Sequence, residues 1–185
     1  MTENARKSEP RGAVAPVVVR LAQYTKADLD EISGGARDPF EVAEFGVRSR
    51  DKDVHFGVLR QGRLVAHAGL VEVAVSVGDR SLRVAGLGGV IVAPGMRGHG
   101  LARAVVGAAV AHARGTEAEF GILFCLPDRV PLYERLGWRV LDGGMRVEQP
   151  GGVIDHPLHT LWIPLGEDDE AVWPDGPARL WSLPM

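Results

Sequence analysis

The sequence predicts an α+β domain whose centre is a mixed, strongly bent β-sheet of about seven strands flanked by helices. Three β-rich runs, over 54–60, 64–77 and 81–92, follow one another and indicate an antiparallel meander. Helices and further strands then alternate along the second half of the chain, as in a mixed sheet. With 185 residues, of which 45% are hydrophobic, the chain suits one domain with one core.

The first half of the chain supplies the meander. A strand over 17–21 is predicted to precede two helical segments, over 26–32 and 38–48. Gln61-Gly62 then supplies the turn of a hairpin, and Gly78-Asp79 supplies the turn that follows it.

The second half begins with a helix over 101–113. Leu101, Val105 and Ala109 lie on one stripe of this helix, a pattern that packs a helix on a sheet. The later predicted elements are a strand over 120–126, a short helix over 131–136 that Gly137 ends, a strand over 138–147 and a last strand over 159–165.

The domain is expected to cover residues 17–166, with a tail on each side. Residues 1–16 mix charged residues with Pro and Gly and have no apolar core, so we expect a disordered tail there. Residues 167–185 contain Trp173 and Trp181, whose large rings are seldom left in water. We therefore expect this second tail to pack against the domain.

Charge and hydropathy argue against several kinds of partner. The formal net charge is −3, so no broad basic surface for nucleic acid is predicted. No apolar run approaches the length needed to span a membrane. The N-terminal segment lacks the apolar core of a secretion signal, and a cytoplasmic location is therefore expected.

Cysteine and histidine usage gives no sign of a metal site. Cys125, the single cysteine, ends an apolar strand and is interpreted as a packed thiol. One cysteine excludes an intramolecular disulfide. The six histidines show no metal-ligand spacing, so no metal is expected.

A glycine-rich turn over 95–100 separates a β-branched run from the helix that begins at Leu101. Gly98 and Gly100 have no Cβ, so the backbone there can come close to a ligand and adopt a positive φ. The first amides of the helix have no intrahelical acceptor, and the helix dipole favours negative charge beside them. The order of strand, turn and helix predicts a diphosphate site.

Spacing distinguishes three kinds of phosphate-binding turn. A P-loop requires a lysine after its last glycine, and this segment has none. A dinucleotide fingerprint requires a third small residue three places after Gly100, where this chain has Arg103. The spacing therefore excludes the first alternative and weakens the second.

The run Arg97-Gly98-His99-Gly100-Leu101-Ala102 resembles the Arg/Gln-x-x-Gly-x-Gly/Ala signature of the GNAT N-acetyltransferases. A second run, Leu132-Tyr133-Glu134-Arg135-Leu136-Gly137-Trp138, is similar to the Tyr-x-x-x-Gly-Phe segment of that family. The two motifs occur in the order expected of the family, with a helix and a strand between them. The sequence is identified on these motifs as a member of the GNAT superfamily.

This resemblance implies the GNAT fold and acetyl-CoA as co-substrate. In that family the fourth and fifth strands separate, and the pantetheine arm of the cofactor enters the gap. Backbone amides near 90–92 are expected to stabilise the oxyanion of the thioester. The implied cofactor-binding residues are Val90, Ile91, Val92, Arg97, Gly98, His99, Gly100, Leu101 and Ala102.

Tyr133 is the candidate catalytic acid, because the matching segment of GNATs lies beside the thioester sulfur. A phenol has an ordinary pKa of about 10 and a thiol one of about 8.5. Tyr133 would therefore protonate the departing thiolate only with help from its surroundings.

The sequence offers several candidates for the general base that deprotonates the acceptor amine. Many GNATs carry a glutamate on the fourth strand shortly before the oxyanion amides, where this chain has Gly88 within Gly86-Leu87-Gly88-Gly89. Glu72, Asp155 together with His156, or a chain of water molecules are the alternatives considered.

The order of segments resembles the aminoglycoside 2′-N-acetyltransferase branch of the family. Carboxylates in comparable regions would suit a cationic acceptor, which makes an antibiotic-resistance role one version of the function. The terminus departs from that branch, and the segment over 173–176 is also similar to nodulation N-acyltransferases, which use fatty acyl donors. The candidate acceptor residues are Glu44, Glu72, Asp155 and Asp175, with Asp38 and Glu41 nearby.

The sequence therefore predicts an N-acetyltransferase that moves an acetyl group from acetyl-CoA to a primary amine by direct attack in a ternary complex. The preferred acceptor is a small molecule, with the C-terminal tail near its site. Acetylation of a protein or peptide, or binding of acetyl-CoA without turnover, are the alternatives. A homodimer is one assembly considered.

Overall fold

The computed structural model describes residues 15–166 and 171–185 and places ten strands in one sheet. Three α-helices accompany the sheet, which confirms the predicted α+β class. The helices are α1 (Lys26–Ser33), α2 (Leu101–Ala113) and α3 (Val130–Glu134). The strands are β1 (Val19–Leu21), β2 (Val54–Arg60), β3 (Arg63–Val77), β4 (Arg80–Val92), β5 (Phe120–Cys125), β6 (Arg139–Val140), β7 (Arg146–Gln149), β8 (Gly152–Asp155), β9 (His159–Pro164) and β10 (Ala178–Leu180).

The sheet runs in the order β6, β9, β5, β4, β3, β10, β7 and β8, and β2 pairs with β3 and with β1. The contacts β4 with β5 and β7 with β10 are parallel, and all the other pairs are antiparallel. The predicted meander of β2, β3 and β4 is present, with Gln61-Gly62 in the first turn. The long strand β3 therefore pairs with β2 along its first half and with β10 at its end.

The helices begin and end where local chemistry allows. Thr25 caps α1 through a capping box with Asp28, and Gly34 ends the helix at a φ of 68°. Gly100, at a φ of 72°, precedes α2. Helix α2 then buries Val105 and Ala109 against the sheet, as the predicted stripe requires.

Two predicted elements are wrong. The segment over 38–48 is not a helix, because the Asp38 carboxylate accepts the Ala43 amide at 2.8 Å and Glu41 has a φ of 60°. Only a single 3₁₀ turn, Ala43–Phe45, forms there. The strand over 138–147 is divided into β6 and β7 by a turn at Gly143 and Gly144, whose φ angles are 80° and 67°.

Two of the ten strands, β8 and β10, were not anticipated from the sequence, which predicted about seven. Strand β8 is a short, largely exposed partner of β7, and β10 lies within the C-terminal segment. Strands of three or four residues carry too little alternation to be distinguished from loops. They extend the sheet at the edge that lies away from α2.

The C-terminal segment 171–185 packs along the domain. The Trp173 ring is buried, with centroids 5.1 Å from Phe120 and 5.9 Å from Trp162. The Trp181 indole donates to Ser76 Oγ at 3.0 Å. Residues 167–170 of the predicted C-terminal tail and nearly all of the predicted disordered tail lie outside the described residues. No helix within 15–166 or 171–185 has the length and hydropathy needed to cross a bilayer.

Candidate active site

A cavity of about 590 Å³ lies where β4 and β5 separate. The two strands pair in parallel at Val84, Ala85 and Gly86, and the pairing ends opposite Ile122. The residues beyond that point on both strands line the cavity. On the side of β4 that faces the gap, backbone groups have no neighbouring strand, so they remain available to a ligand.

A β-bulge shapes the β4 wall of the cavity. The pairing of β3 with β4 shifts between His67 and Gly69, so that Gly89 and Val90 together face Ala68. Gly89 adopts a φ of 61°, in the region that favours glycine. Its carbonyl accepts a hydrogen bond from His67 Nδ1 at 2.7 Å instead of one from the strand.

His67 belongs to a buried aromatic network. The His67 ring is 1% exposed and stacks on Tyr24 with centroids 3.5 Å apart. His55 Nδ1 lies 3.0 Å from His67 Nε2. Because Nδ1 of His67 donates to a carbonyl, its Nε2 accepts from His55 in the neutral ring. Burial lowers the pKa of His67 to about 4, so the ring is neutral near pH 7.

The predicted diphosphate turn forms the opposite mouth of the cavity. Gly98 and Gly100 have φ angles of 80° and 72°, and a Cβ at either position would meet no atom within 4 Å. The amides of the first turn of α2 point out of the helix start with no intrahelical acceptor. The residues predicted to bind the cofactor that line the cavity are Val90, Ile91, Val92, Arg97, Gly98, Gly100, Leu101 and Ala102.

His99 differs from the other predicted cofactor residues, because it is exposed and does not line the cavity. Its Nδ1 lies 2.9 Å from the Arg97 carbonyl oxygen and 3.2 Å from that of Met96. The His99 ring therefore contacts only backbone carbonyls of its own turn and stabilises the shape of that turn.

Tyr133 lines the cavity from α3 and is 8% exposed. Its ring packs edge-on against Trp138, with centroids 6.2 Å apart. Within residues 15–166 and 171–185, the Tyr133 hydroxyl group forms no hydrogen bond. Burial raises the pKa of Tyr133, and the nearby Cys125 thiol adds to the effect. The phenol is therefore protonated at neutral pH and can donate a hydrogen bond.

Cys125 lies on the same wall at the end of β5. Burial raises the pKa of its thiol to about 11, with the Asp128 carboxylate as a second cause. A thiol that holds its proton is a poor nucleophile. These observations agree with the interpretation of Cys125 as a packed thiol.

The space that a side chain at Gly88 would take is filled by atoms of Lys52 and Met185. A Cβ at this position would lie 2.7 Å from Lys52 Cε and 2.9 Å from the backbone carbonyl carbon of Met185. It would lie 3.3 Å from Lys52 Nζ. The space that a side chain on β4 would take therefore contains a cationic group and the end segment of the described chain.

A loop over 39–47, here called the strap, contributes to the cavity lining beside Lys52. Phe40 and Phe45 line the cavity from this loop. Glu41 Oε2 accepts from Arg129 Nη2 at 2.7 Å, which joins the strap to the segment before α3. Both side chains of this ion pair are half exposed, so the pair adds little to the stability of the fold.

His156 lines the wall that lies across from the strap. Its ring stacks on Phe124, with centroids 3.8 Å apart. The Leu158 amide donates to Nδ1 at 3.2 Å, so the neutral ring carries its hydrogen on Nε2. Burial lowers the pKa of His156 to about 4. In this state the ring offers a donor, and its one lone pair is already used.

The carboxylates predicted to meet the acceptor lie outside the cavity lining. Glu72 is exposed on β3, Glu44 is exposed beside Phe45, Asp155 lies 3.9 Å from Arg146 Nε, and Asp175 is exposed in the C-terminal segment. Glu41 is the only acidic residue of the described chain on the cavity wall, and it is paired with Arg129. No cluster of three or more metal-ligating side chains occurs in the described ranges.

Two residues, one behind the cavity wall and one on it, were not singled out as functional from the sequence. His67 is the one strongly polar residue in the apolar run 64–71, a signal that could have drawn attention to it. Lys52 sits in the short polar segment Asp51-Lys52-Asp53, where nothing distinguishes it from a surface lysine. Its place in the cavity depends on β2, β3 and the C-terminal segment coming together.

A mixed sheet that opens between two parallel strands, beside a glycine turn at a helix start, is the arrangement that the GNAT resemblance predicted for an acyltransferase that uses a CoA thioester. The chain belongs to the GNAT family, because residues 26–141 match the family model described as an acetyltransferase (GNAT) domain. This membership confirms the assignment made from the two motifs and makes the protein an N-acetyltransferase.

Comparisons with individual proteins support the same family assignment. An aminoglycoside 2′-N-acetyltransferase of Mycolicibacterium fortuitum is 29% identical over 159 residues, covering 83% of this chain and 76% of the relative. A GNAT family N-acetyltransferase of Escherichia coli, solved in complex with CoA, has a TM-score of 0.62 at 17% identity and covers 94% of both chains. The ribosomal-protein-S18-alanine N-acetyltransferase of Escherichia coli has a TM-score of 0.55 at 18% identity, covering 85% of this chain and all of that one. At these identities the two structures show a shared fold.

Proposed function

We propose that this chain transfers the acetyl group of acetyl-CoA to a primary amine of a small molecule, by direct attack in a ternary complex. The observation that carries the proposal is the cavity itself, which runs from the glycine turn, between the separated strands, to Gly88 and the strap. Such a path can hold a diphosphate at one end and an acceptor at the other.

The cofactor binds along the first part of this path. Amides at the start of α2, together with Gly98 and Gly100, hold the diphosphate, and Arg97 adds positive charge. The pantetheine arm lies between β4 and β5, where β4 has no partner. Backbone amides over 90–92 then donate to the thioester oxygen, in an arrangement that the bulge at Gly89 fixes before the substrate arrives.

The reaction needs a neutral amine, because an ammonium group has no lone pair. The amine nitrogen attacks the thioester carbon, and the carbonyl oxygen becomes an oxyanion held by the backbone amides. The carbon–sulfur bond then breaks, and the attacking nitrogen releases one proton to solvent. Tyr133 donates its phenolic proton to the thiolate and regains one from solvent.

The walls of the acceptor end support a small molecule over a protein. The strap contributes Phe40 and Phe45 to these walls, and the Glu41–Arg129 pair joins it to the segment before α3. A small amine would contact these side chains from within the cavity. An aminoglycoside is the most specific version of the proposal, and its support is the 29% identity with the Mycolicibacterium fortuitum enzyme.

The test measures thiol release from acetyl-CoA with a panel of aminoglycosides, polyamines, amino acids, aromatic amines and peptides. We expect turnover with at least one small amine and none with the peptides. Calorimetry with CoA runs in parallel. Tight CoA binding without turnover of any amine would favour a non-catalytic acetyl-CoA-binding domain, and turnover confined to peptides would favour the protein-directed alternative.

A further inference from the structure

We infer that the acceptor amine also carries an anionic group, a carboxylate in the simplest case, which pairs with Lys52 at the acceptor end of the cavity. This inference rests on the proposed function and names the substrate class of the same site. It assigns Lys52 as the residue that determines specificity.

Lys52 is placed to meet a ligand. Its side chain is half-buried and lines the cavity between the strap and β4. Its Nζ donates to the Arg50 carbonyl at 3.2 Å, and no carboxylate of the described residues forms an ion pair with it. An ammonium has three donors, so hydrogen-bonding capacity remains. Burial lowers the pKa of Lys52, and the neighbouring Asp51 carboxylate opposes part of that effect.

Lys52 gives the acceptor end its positive charge, because the other charged groups of the described lining lie at the turn or are paired. Arg97 and Arg103 lie on the turn and at the start of α2, where the diphosphate is proposed to bind. Arg129 is neutralised by Glu41. His156 is uncharged near pH 7, because burial holds its pKa at about 4. Among the cations of the described lining, Lys52 therefore lies at the acceptor end without an ion pair, and its chain neighbour Asp51 attracts it only from a longer distance.

A polycationic acceptor fits this end poorly, because like charges at short range repel and the half-buried site screens them less than bulk water does. A carboxylate on the acceptor would instead form a charge-assisted hydrogen bond with the ammonium. The surrounding wall is aromatic, with Phe40 on the strap and Phe124 stacked on His156. An acceptor with a flat or apolar body between its amine and its carboxylate matches these surfaces.

The positive charge of Lys52 also bears on how the acceptor amine becomes neutral, given that β4 carries no carboxylate at Gly88. A positive group near the acceptor disfavours the ammonium form and so lowers the pKa of the amine. A larger fraction of the acceptor is then neutral and able to attack. By pairing with the acceptor's carboxylate, Lys52 offsets the negative charge that would otherwise favour the ammonium form of the same molecule.

The test compares two probes with the same ring and the same amine, para-aminomethylbenzoate and its amide. Para-aminomethylbenzylamine, a dication, is the third probe. Thiol release gives kcat/KM for each, and calorimetry in the presence of CoA gives dissociation constants that do not depend on turnover. The wild-type chain should favour the carboxylate over its amide by about tenfold, the scale of a hydrogen bond to a charged group.

Variants at Lys52 separate charge from shape. Lys52→Gln should bring the carboxylate and the amide within about twofold of each other, and Lys52→Arg should keep most of the preference, because only the first removes the charge. Lys26→Gln is the matched control, since Lys26 is exposed on α1 and its ammonium pairs with Asp30. It should behave as wild type.

The outcomes distinguish this inference from the proposed function. Turnover that favours the dication or an aminoglycoside would overturn the inference and leave the proposed transfer intact. A carboxylate preference that survives in Lys52→Gln would also overturn it. Preferential binding of the carboxylate without any turnover would support the anionic subsite and contradict the transfer. Equal binding of carboxylate and amide, or binding of neither, would overturn the inference.

Discussion

The Nδ1 atom of His67 lies 2.7 Å from the carbonyl oxygen of Gly89, and this bond connects the buried core of the sheet to the wall of the cavity. A carbonyl that would otherwise pair across the sheet points instead at a buried imidazole. The amides that follow Gly89 are therefore turned by the bulge, and their direction depends on a side chain that does not itself line the cavity.

We predict that His67→Ala lowers kcat by roughly tenfold or more, because small displacements of groups that contact the reacting atoms are costly. The KM for acetyl-CoA should change much less, since His67 contacts Gly89, His55 and Tyr24 and none of these lies in the diphosphate turn over 95–100. Steady-state kinetics measures this difference.

The conservative variant His67→Gln, which can still donate to Gly89, should recover part of kcat. The exposed His159 provides the control, and His159→Gln should match wild type. A proportional loss of kcat and of folded protein in both His67 variants would reduce the role of His67 to stability.

Tyr133→Phe should lower kcat by about a hundredfold, the lower range for general acid catalysis, and leave CoA affinity within about twofold. The hydroxyl group is the only part of the side chain that this substitution removes. The matched control is Tyr24→Phe, because the Tyr24 hydroxyl is buried and has no hydrogen-bond partner in the described chain. Unchanged turnover in Tyr133→Phe would remove this residue from the mechanism.

Gly100→Val should weaken CoA binding strongly. A β-branched side chain disfavours the φ of 72° at this position, and its methyl groups would stand where the diphosphate approaches. The control in the same turn is Gly95→Ala, because Gly95 does not have a positive φ and a Cβ there meets no atom within 4 Å. Calorimetry with CoA should give wild-type affinity for Gly95→Ala alone, and wild-type affinity for Gly100→Val would contradict the diphosphate assignment.

Stability should fall as the pH drops through the range of the buried histidines. Burial holds the pKa of His67 and of His156 at about 4, below the ordinary value of 6.5. The unfolded chain therefore binds more protons between these values, and each histidine lowers the free energy of unfolding by up to about 1.4 kcal/mol per pH unit as the pH falls. At about pH 7.5 and above, both rings are neutral in both states, and the effect vanishes.

Urea denaturation at pH 7, 6 and 5 measures this dependence. His156→Gln should show a shallower loss of stability than wild type, and His159→Gln should show the same loss, because its ring is exposed. Parallel curves for wild type and His156→Gln would show that His156 is not a source of the effect.

Local sequence patterns predicted the meander, α2, the diphosphate turn and the α3 segment. Each depends on residues close together in the chain: glycine at turns, β-branched runs in strands, and an apolar stripe on a helix. The segment over 38–48 was predicted as a helix for the same reason, from its local composition. There the Asp38 carboxylate and the positive φ of Glu41 select an irregular strap instead.

The sequence by itself determined the α+β fold, the family and the two motifs, because backbone preferences and short-range spacing are written in consecutive residues. It could not determine which charges share the acceptor end of the cavity. Lys52, Gly88 and Met185 are far apart in the chain and meet only because β3 pairs with β2, β4 and β10 at once. Tertiary structure decided which charged groups meet at the proposed acceptor site, since electrostatic energy depends on distance in space.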